Sequence, residues 1–180
     1  MAKYPRRSKG KEIKPTFFVF CEEESEEAYI SFIRSKFRVP IQIKAKVAKN
    51  KINQKYVNRI LGPLPKHYKD KYFLLYDLDR PEMLEKLQCI NDAILLLSNP
   101  CIELWFILHI CNHTAEVNSQ QILEKLERIC REYKKGIICG KLRNELASGE
   151  EKAIANAKKH TLYNNPSTSV YLLLEELNKV

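Results

Sequence analysis

Phe17-Phe18-Val19-Phe20-Cys21-Glu22-Glu23-Glu24-Ser25-Glu26-Glu27 is an apolar run of strand length that ends in five acids. A second run of the same kind, Tyr72-Phe73-Leu74-Leu75-Tyr76, delivers Asp77-Leu78-Asp79. Short continuous apolar runs are the pattern of strands buried on both faces of a sheet. In an α/β fold the carboxyl ends of parallel strands share one edge, so acids placed there converge although they lie far apart in sequence. Carboxylates held close together repel one another unless a cation neutralises them, and hard oxygen ligands favour Mg2+ or Mn2+. The two runs therefore predict the halves of one metal site, suited to phosphoryl transfer or phosphodiester cleavage.

Outward from these strands the periodicity alternates. Glu24 to Phe37 spaces Ala28, Tyr29, Phe32 and Ile33 as a helix does, and Ile41 to Val47 alternates apolar residues with Gln42, Lys44 and Lys46, as in a strand with one basic face. Ile52 to Leu61 reads as a helix stopped by Gly62-Pro63. After the Tyr72–Tyr76 strand, Pro81 to Cys89 reads as a helix with a favourable early proline and Ala93 to Leu97 as a fourth strand. Ser98-Asn99-Pro100 breaks that strand, and Cys101 to Cys111 is too long for a typical strand. From Asn118 onward the pattern is helical, with Gln121 to Tyr133, Lys141 to Ala147, Glu151 to His160 and Thr168 to Asn178 separated by glycine or Asn-Pro signals. The fold class expected is α/β, with a Rossmann-like, mostly parallel sheet flanked by helices and a helical C-terminal part over about residues 118–180. Residues 1–14 are polar and basic and are expected to form a flexible arm; residues 15–180 are expected to form a single domain.

The 180 residues carry a net charge of +9, unevenly placed. Between Arg34 and Lys71 there are twelve Lys or Arg residues and one acid, Asp70. Lys44, Lys46, Lys49, Lys51, Lys55 and Arg59 are the central candidates for contact with successive phosphates, and Lys3, Arg6, Arg7, Lys9 and Lys11 would extend that surface. A solvated, solubilising face is the alternative, and proximity to an acidic cation site favours nucleic acid. The six cysteines lie mostly within apolar stretches and lack paired metal-ligand spacing, which predicts a reduced, cytoplasmic protein. No signal-like start and no bilayer-spanning run is apparent, so no membrane partner is expected. A phosphate-loop motif is also missing, which excludes a P-loop ATPase activity for this stretch of sequence.

Each candidate has a plain alternative. Asp77 and Asp79 flank one residue and would point the same way along an extended segment, but such a pair also caps turns and helices. Glu22 and Glu26 share one helix face, where acids in a first turn are ordinarily just exposed. Glu103 interrupts the apolar stretch Cys101–Ile110, where an unpaired carboxylate is expensive to bury; the other reading is an exposed or amide-bonded acid at a helix start. His109 is a supporting candidate, although a hydrogen-bonded core histidine is the safer reading. Trp105 reads as core in preference to a base-stacking platform, and Asn164 to Thr168 as a turn that caps the last helix, with a border of the site as the lesser reading.

Four ordered motifs resemble the RloB-like family. They are Glu22-Glu23-Glu24-Ser25-Glu26-Glu27-Ala28-Tyr29, Tyr76-Asp77-Leu78-Asp79, the segment Ser98-Asn99-Pro100-Cys101-Ile102-Glu103-Leu104-Trp105-Phe106-Ile107-Leu108-His109, and Asn165-Pro166-Ser167-Thr168. The resemblance implies a compact Toprim-like fold associated with bacterial phage defence. It also implies a nuclease acting on transfer RNA or DNA, with a separate AAA/ABC-type ATPase as partner and a homodimer as an option. By analogy with related Toprim nucleases it nominates Glu22, Glu26, Asp77, Asp79 and Glu103 as catalytic, with Ser98 in support. Glu22, Asp77 and Asp79 would be the ligands of Mg2+ or Mn2+ in a two-metal arrangement. A noncatalytic adaptor that binds nucleic acid or the ATPase is the alternative. Glu23 stands where the family has glycine, a residue that permits close backbone approach or an unusual dihedral.

Overall fold

A computed structural model of the chain describes residues 15–37 and 42–179. The expected arm and its basic residues, together with Arg38 and Ile41, lie outside the described residues. The elements run β1 (Thr16–Cys21), α1 (Glu24–Lys36), β2 (Gln42–Val47), a 3-10 turn (Lys49–Lys51), α2 (Gln54–Leu61), β3 (Lys71–Asp77), α3 (Pro81–Gln88) and β4 (Ile94–Asn99). They continue with α4 (Ile102–Ile110), α5 (Ser119–Ile129), α6 (Gly140–Ser148), α7 (Glu150–Ala157), β5 (Ser167–Thr168) and α8 (Tyr171–Leu177). The sheet order is β2-β1-β3-β4-β5. The first four strands are parallel and β5 is antiparallel to β4, as expected of a Rossmann-like, mostly parallel α/β sheet.

Alternation along β1 and β3 sends successive side chains to two different cores. Phe17, Val19, Cys21, Phe73 and Leu75 face α1, α4 and the C-terminal helices, whereas Phe18, Phe20, Leu74 and Tyr76 face α2 and α3. Helix α4 is buried on all sides from Ile102 to His109, which explains why its sequence shows no polar face. Helices α5, α6 and α7 surround it. Gly149 sits between α6 and α7, where a Cβ would lie 2.6 Å from the His109 carbonyl oxygen, so this close approach requires glycine.

Local chemistry sets the boundaries. Pro81 opens α3, and the Asn53 side chain accepts the Tyr56 N–H at 2.9 Å, so α2 begins at Gln54 and not at Ile52. Asn118 and Gln121 form a capping box that starts α5. Two expectations at the C-terminal end are corrected. The helix expected over Gln121–Tyr133 ends at Ile129, leaving Tyr133 in the following turn. Ser167 and Thr168 do not cap the last helix; they pair with Asn99 and Ser98 as a short edge strand, and α8 begins at Tyr171. All six cysteines are free. Among the described residues, no helix is long and apolar enough to cross a membrane.

Candidate functional site

Strands β1 and β3 are neighbours at the centre of the sheet, yet the chain leaves them in opposite directions, β1 leading to β2 on one side and β3 to β4 on the other. A reversal of this kind opens a crevice at the carboxyl ends of the two strands, where open α/β sheets bind their ligands. Glu22 follows β1 and Asp77 ends β3, so the two acidic runs meet at that crevice. The Glu22 N–H donates to the Leu75 carbonyl at 3.1 Å, extending the ladder. The Asp77 N–H donates to Glu22 Oε2 at 3.1 Å, and Arg80 Nη2 donates to Glu22 Oε1 at 2.9 Å.

Three further carboxylates surround this pair. Glu26 is buried in the first turn of α1, and its Oε2 accepts the Glu23 N–H at 3.0 Å. Glu103 is buried at the start of α4, and its Oε1 accepts the Tyr133 hydroxyl at 2.6 Å. Exposure of Glu103 is thus excluded, and the buried acid has a donor. Asp79 is exposed, 3.6 Å from Arg80 Nε. In contrast, Asp77 Oδ1 is buried with no hydrogen-bond partner among the described residues. Burial, and then Glu26, Glu103, Glu22 and Asp79, push the Asp77 carboxyl well above its ordinary value. Burial, followed by Glu103 and Glu22, lifts Glu26 to about 7 against the opposing backbone hydrogen bonds. Glu22 is raised chiefly by burial, with the Asp77 N–H and Arg80 opposing.

A turn between α5 and α6 closes over this edge; glycine signals mark the break in the sequence, but not its closure over the acids. Tyr133 reaches Glu103, Lys135 Nζ donates to Glu23 Oε2 at 2.7 Å, and the Gly136 N–H donates to Ser25 Oγ at 3.1 Å. Lys135 is held above its ordinary value first by the Glu23 hydrogen bond, with Glu103 and Asp77 contributing. Glu23 itself has φ −133 and ψ −168, extended backbone open to any residue, so a side chain at this position introduces no strain.

The remaining candidates lie at varying remove. Ser98 is in register with Asp77 across β3 and β4, but its hydroxyl pairs with that of Thr168 at 2.9 Å. His109 lies at the far end of α4, roughly 9 Å along the axis from Glu103; its Nδ1 meets the Trp105 carbonyl at 2.9 Å, and burial lowers it to about 4. This is a core histidine. Lys49 and Lys51 are exposed on the turn after β2, at the same carboxyl edge. Lys46 is exposed on β2 and Lys44 half-buried, while Lys55 and Arg59 are exposed on α2, one turn apart, with the Arg59 guanidinium 5.0 Å over the Tyr56 ring.

Among the described residues, no three His, Cys, Asp or Glu side chains are gathered closely enough to hold a metal ion. The donor chemistry does suit a hard cation: every candidate ligand is a carboxylate, and the buried Asp77 Oδ1 is an acceptor without a donor.

A family model described as RloB-like protein matches residues 17–177. The chain belongs to that family. The match extends from β1 to α8 and so includes every carboxylate of the RloB-like edge as well as the turn that closes over it. No curated protein and no solved structure matches the chain.

Proposed function

We infer that the chain is a divalent-metal-dependent nuclease, cleaving phosphodiester bonds of RNA or DNA as an effector of antiphage defence together with a separate ATPase. The observation that carries this reading is Asp77, whose buried, unpartnered Oδ1 stands at the sheet's switch point among Glu22, Glu26, Glu103 and Asp79. Asp77, with those neighbours, would hold Mg2+ or Mn2+, which when bound supplies Lewis-acid activation of water and stabilisation of the leaving oxygen. Glu26, lifted to about 7, has the proton affinity of a general acid or base at neutral pH. Lys49 and Lys51 flank the same edge and offer phosphate contacts, with Lys46, Lys55 and Arg59 extending them. The defence setting, the ATPase and a homodimer rest on the family resemblance alone.

A second reading, a noncatalytic adaptor that binds nucleic acid or the ATPase, is favoured by the engagement of both Glu22 oxygens and by the absence, among the described residues, of three ligands gathered for a metal. Labelled transfer RNA, single-stranded DNA and duplex DNA, incubated with Mg2+ or Mn2+, separate the two. Cleavage that requires both metal and Asp79, and so is lost in Asp79→Ala, supports the nuclease and identifies its substrate. No cleavage of any substrate, with the partner ATPase present as well, supports the adaptor.

A further inference from the structure

The carboxylate oxygens at this edge are unequally served. Both Glu22 oxygens accept a hydrogen bond, one from the Asp77 N–H and one from Arg80. Glu26 Oε2 accepts from the backbone of Glu23, and Glu103 Oε1 from Tyr133. Asp77 Oδ1 accepts from none of the described residues. A fixed positive charge therefore already contacts Glu22 on the Asp79 side of the crevice, whereas on the Asp77 side the nearby Lys135 is bonded to Glu23 and, among the described residues, no cation pairs with Asp77.

Arg80 is positioned for that place by its surroundings. It precedes Pro81, which restricts it to extended backbone, and it adopts φ −124 and ψ 126. Its Nη2 also donates to Asn50 Oδ1 at 2.9 Å, and Lys86 Nζ donates to the Asn50 carbonyl at 2.8 Å, tying the turn after β2 to α3. A guanidinium keeps its charge at every working pH. A dication bound between Glu22 and Asp79 would have to displace a donor 2.9 Å from Glu22 and then sit beside its charge.

Resting on the reading of this edge as a cation site, we propose that Arg80 takes the place of one of two cations, so that the crevice accommodates a single divalent ion, on the Asp77 side. Arg80 is then a positioning residue that holds Glu22 and supplies one fixed charge in place of the second metal.

The test is a count of Mn2+ bound per chain, taken from the free-Mn2+ EPR signal during titration of the full chain. The wild type is expected to bind one ion. Arg80→Gln, which removes the charge but keeps a polar side chain, is expected to bind two, doubling the count, and Arg80→Lys, which keeps a charge, is expected to bind one. Asp77→Asn is expected to lose the wild-type ion. Two ions of comparable affinity in the wild type, or one ion in a folded Arg80→Gln, would overturn the role of Arg80 while leaving the cation site standing. No ion in the wild type would overturn the cation site itself, and the proposal with it.

Discussion

Asp77 and Glu103 are carboxylates brought to the same edge, and their different surroundings follow from what reaches each of them. Glu103 has the Tyr133 hydroxyl at 2.6 Å, whereas Asp77 Oδ1 has no partner among the described residues. Tyr133→Phe removes the donor and leaves a buried acid short of one hydrogen bond, a change that costs about 1–3 kcal/mol. Urea denaturation should show that loss as a lower midpoint with an unchanged slope. Glu22, Asp77 and Glu103 were legible in the sequence because an acid at the end of an apolar run, or inside one, has few reasons to be there. Tyr133, Lys135 and Arg80 were not, since a tyrosine, a lysine and an arginine in polar surroundings look like solvated residues until the chain turns them inward. The only local signs were that Arg80 directly follows Asp79 and that Lys135 precedes a glycine.

The four parallel strands and the helices between them were visible as elements because their apolar periods are unbroken. Strand β5 was not, being two hydroxyl-bearing residues long, too short to carry a period, and formed only by pairing with Ser98 and Asn99. The early end of α5 was missed for a related reason: Ile129 to Tyr133 continues the helical pattern, but Tyr133 contributes more by reaching Glu103 than by extending the helix. The turn that follows depends on Gly136, which has φ +79 and would bring a Cβ within 3.3 Å of Glu24 Cβ. Gly136→Ala therefore strains the backbone and crowds the start of α1, and it should destabilise the protein by about 1–2 kcal/mol. A thermal melt that leaves the midpoint unchanged would show that the turn is not fixed on the acidic edge in this way.

The whole molecule combines a basic exterior, net charge +9, with an acidic crevice, and that contrast makes its stability depend on pH. Glu26 has an ordinary value of 4.5 and is lifted to about 7 in the fold. Between those two values the folded state holds a proton that the unfolded chain has released. The stability that this proton represents is complete below about 4.5 and is lost as the pH rises through about 7. Asp77, raised in the same direction, adds to the effect. His109, lowered from 6.5 to about 4, opposes this below about 6.5, so melting temperature should fall as the pH rises from about 6.5 through 7 and beyond, and a profile that rises across that upper window would contradict the burial of these acids. A cation bound at the edge would replace the missing protons. The most direct test of the acidic edge as a metal centre is the shift in melting temperature produced by Mn2+ at pH 8, in the wild type and in Asp77→Asn. The wild type should gain several degrees, the variant little or nothing, and both should respond alike to a monovalent salt of matched ionic strength. An equal shift in both proteins, or none in either, would contradict the account.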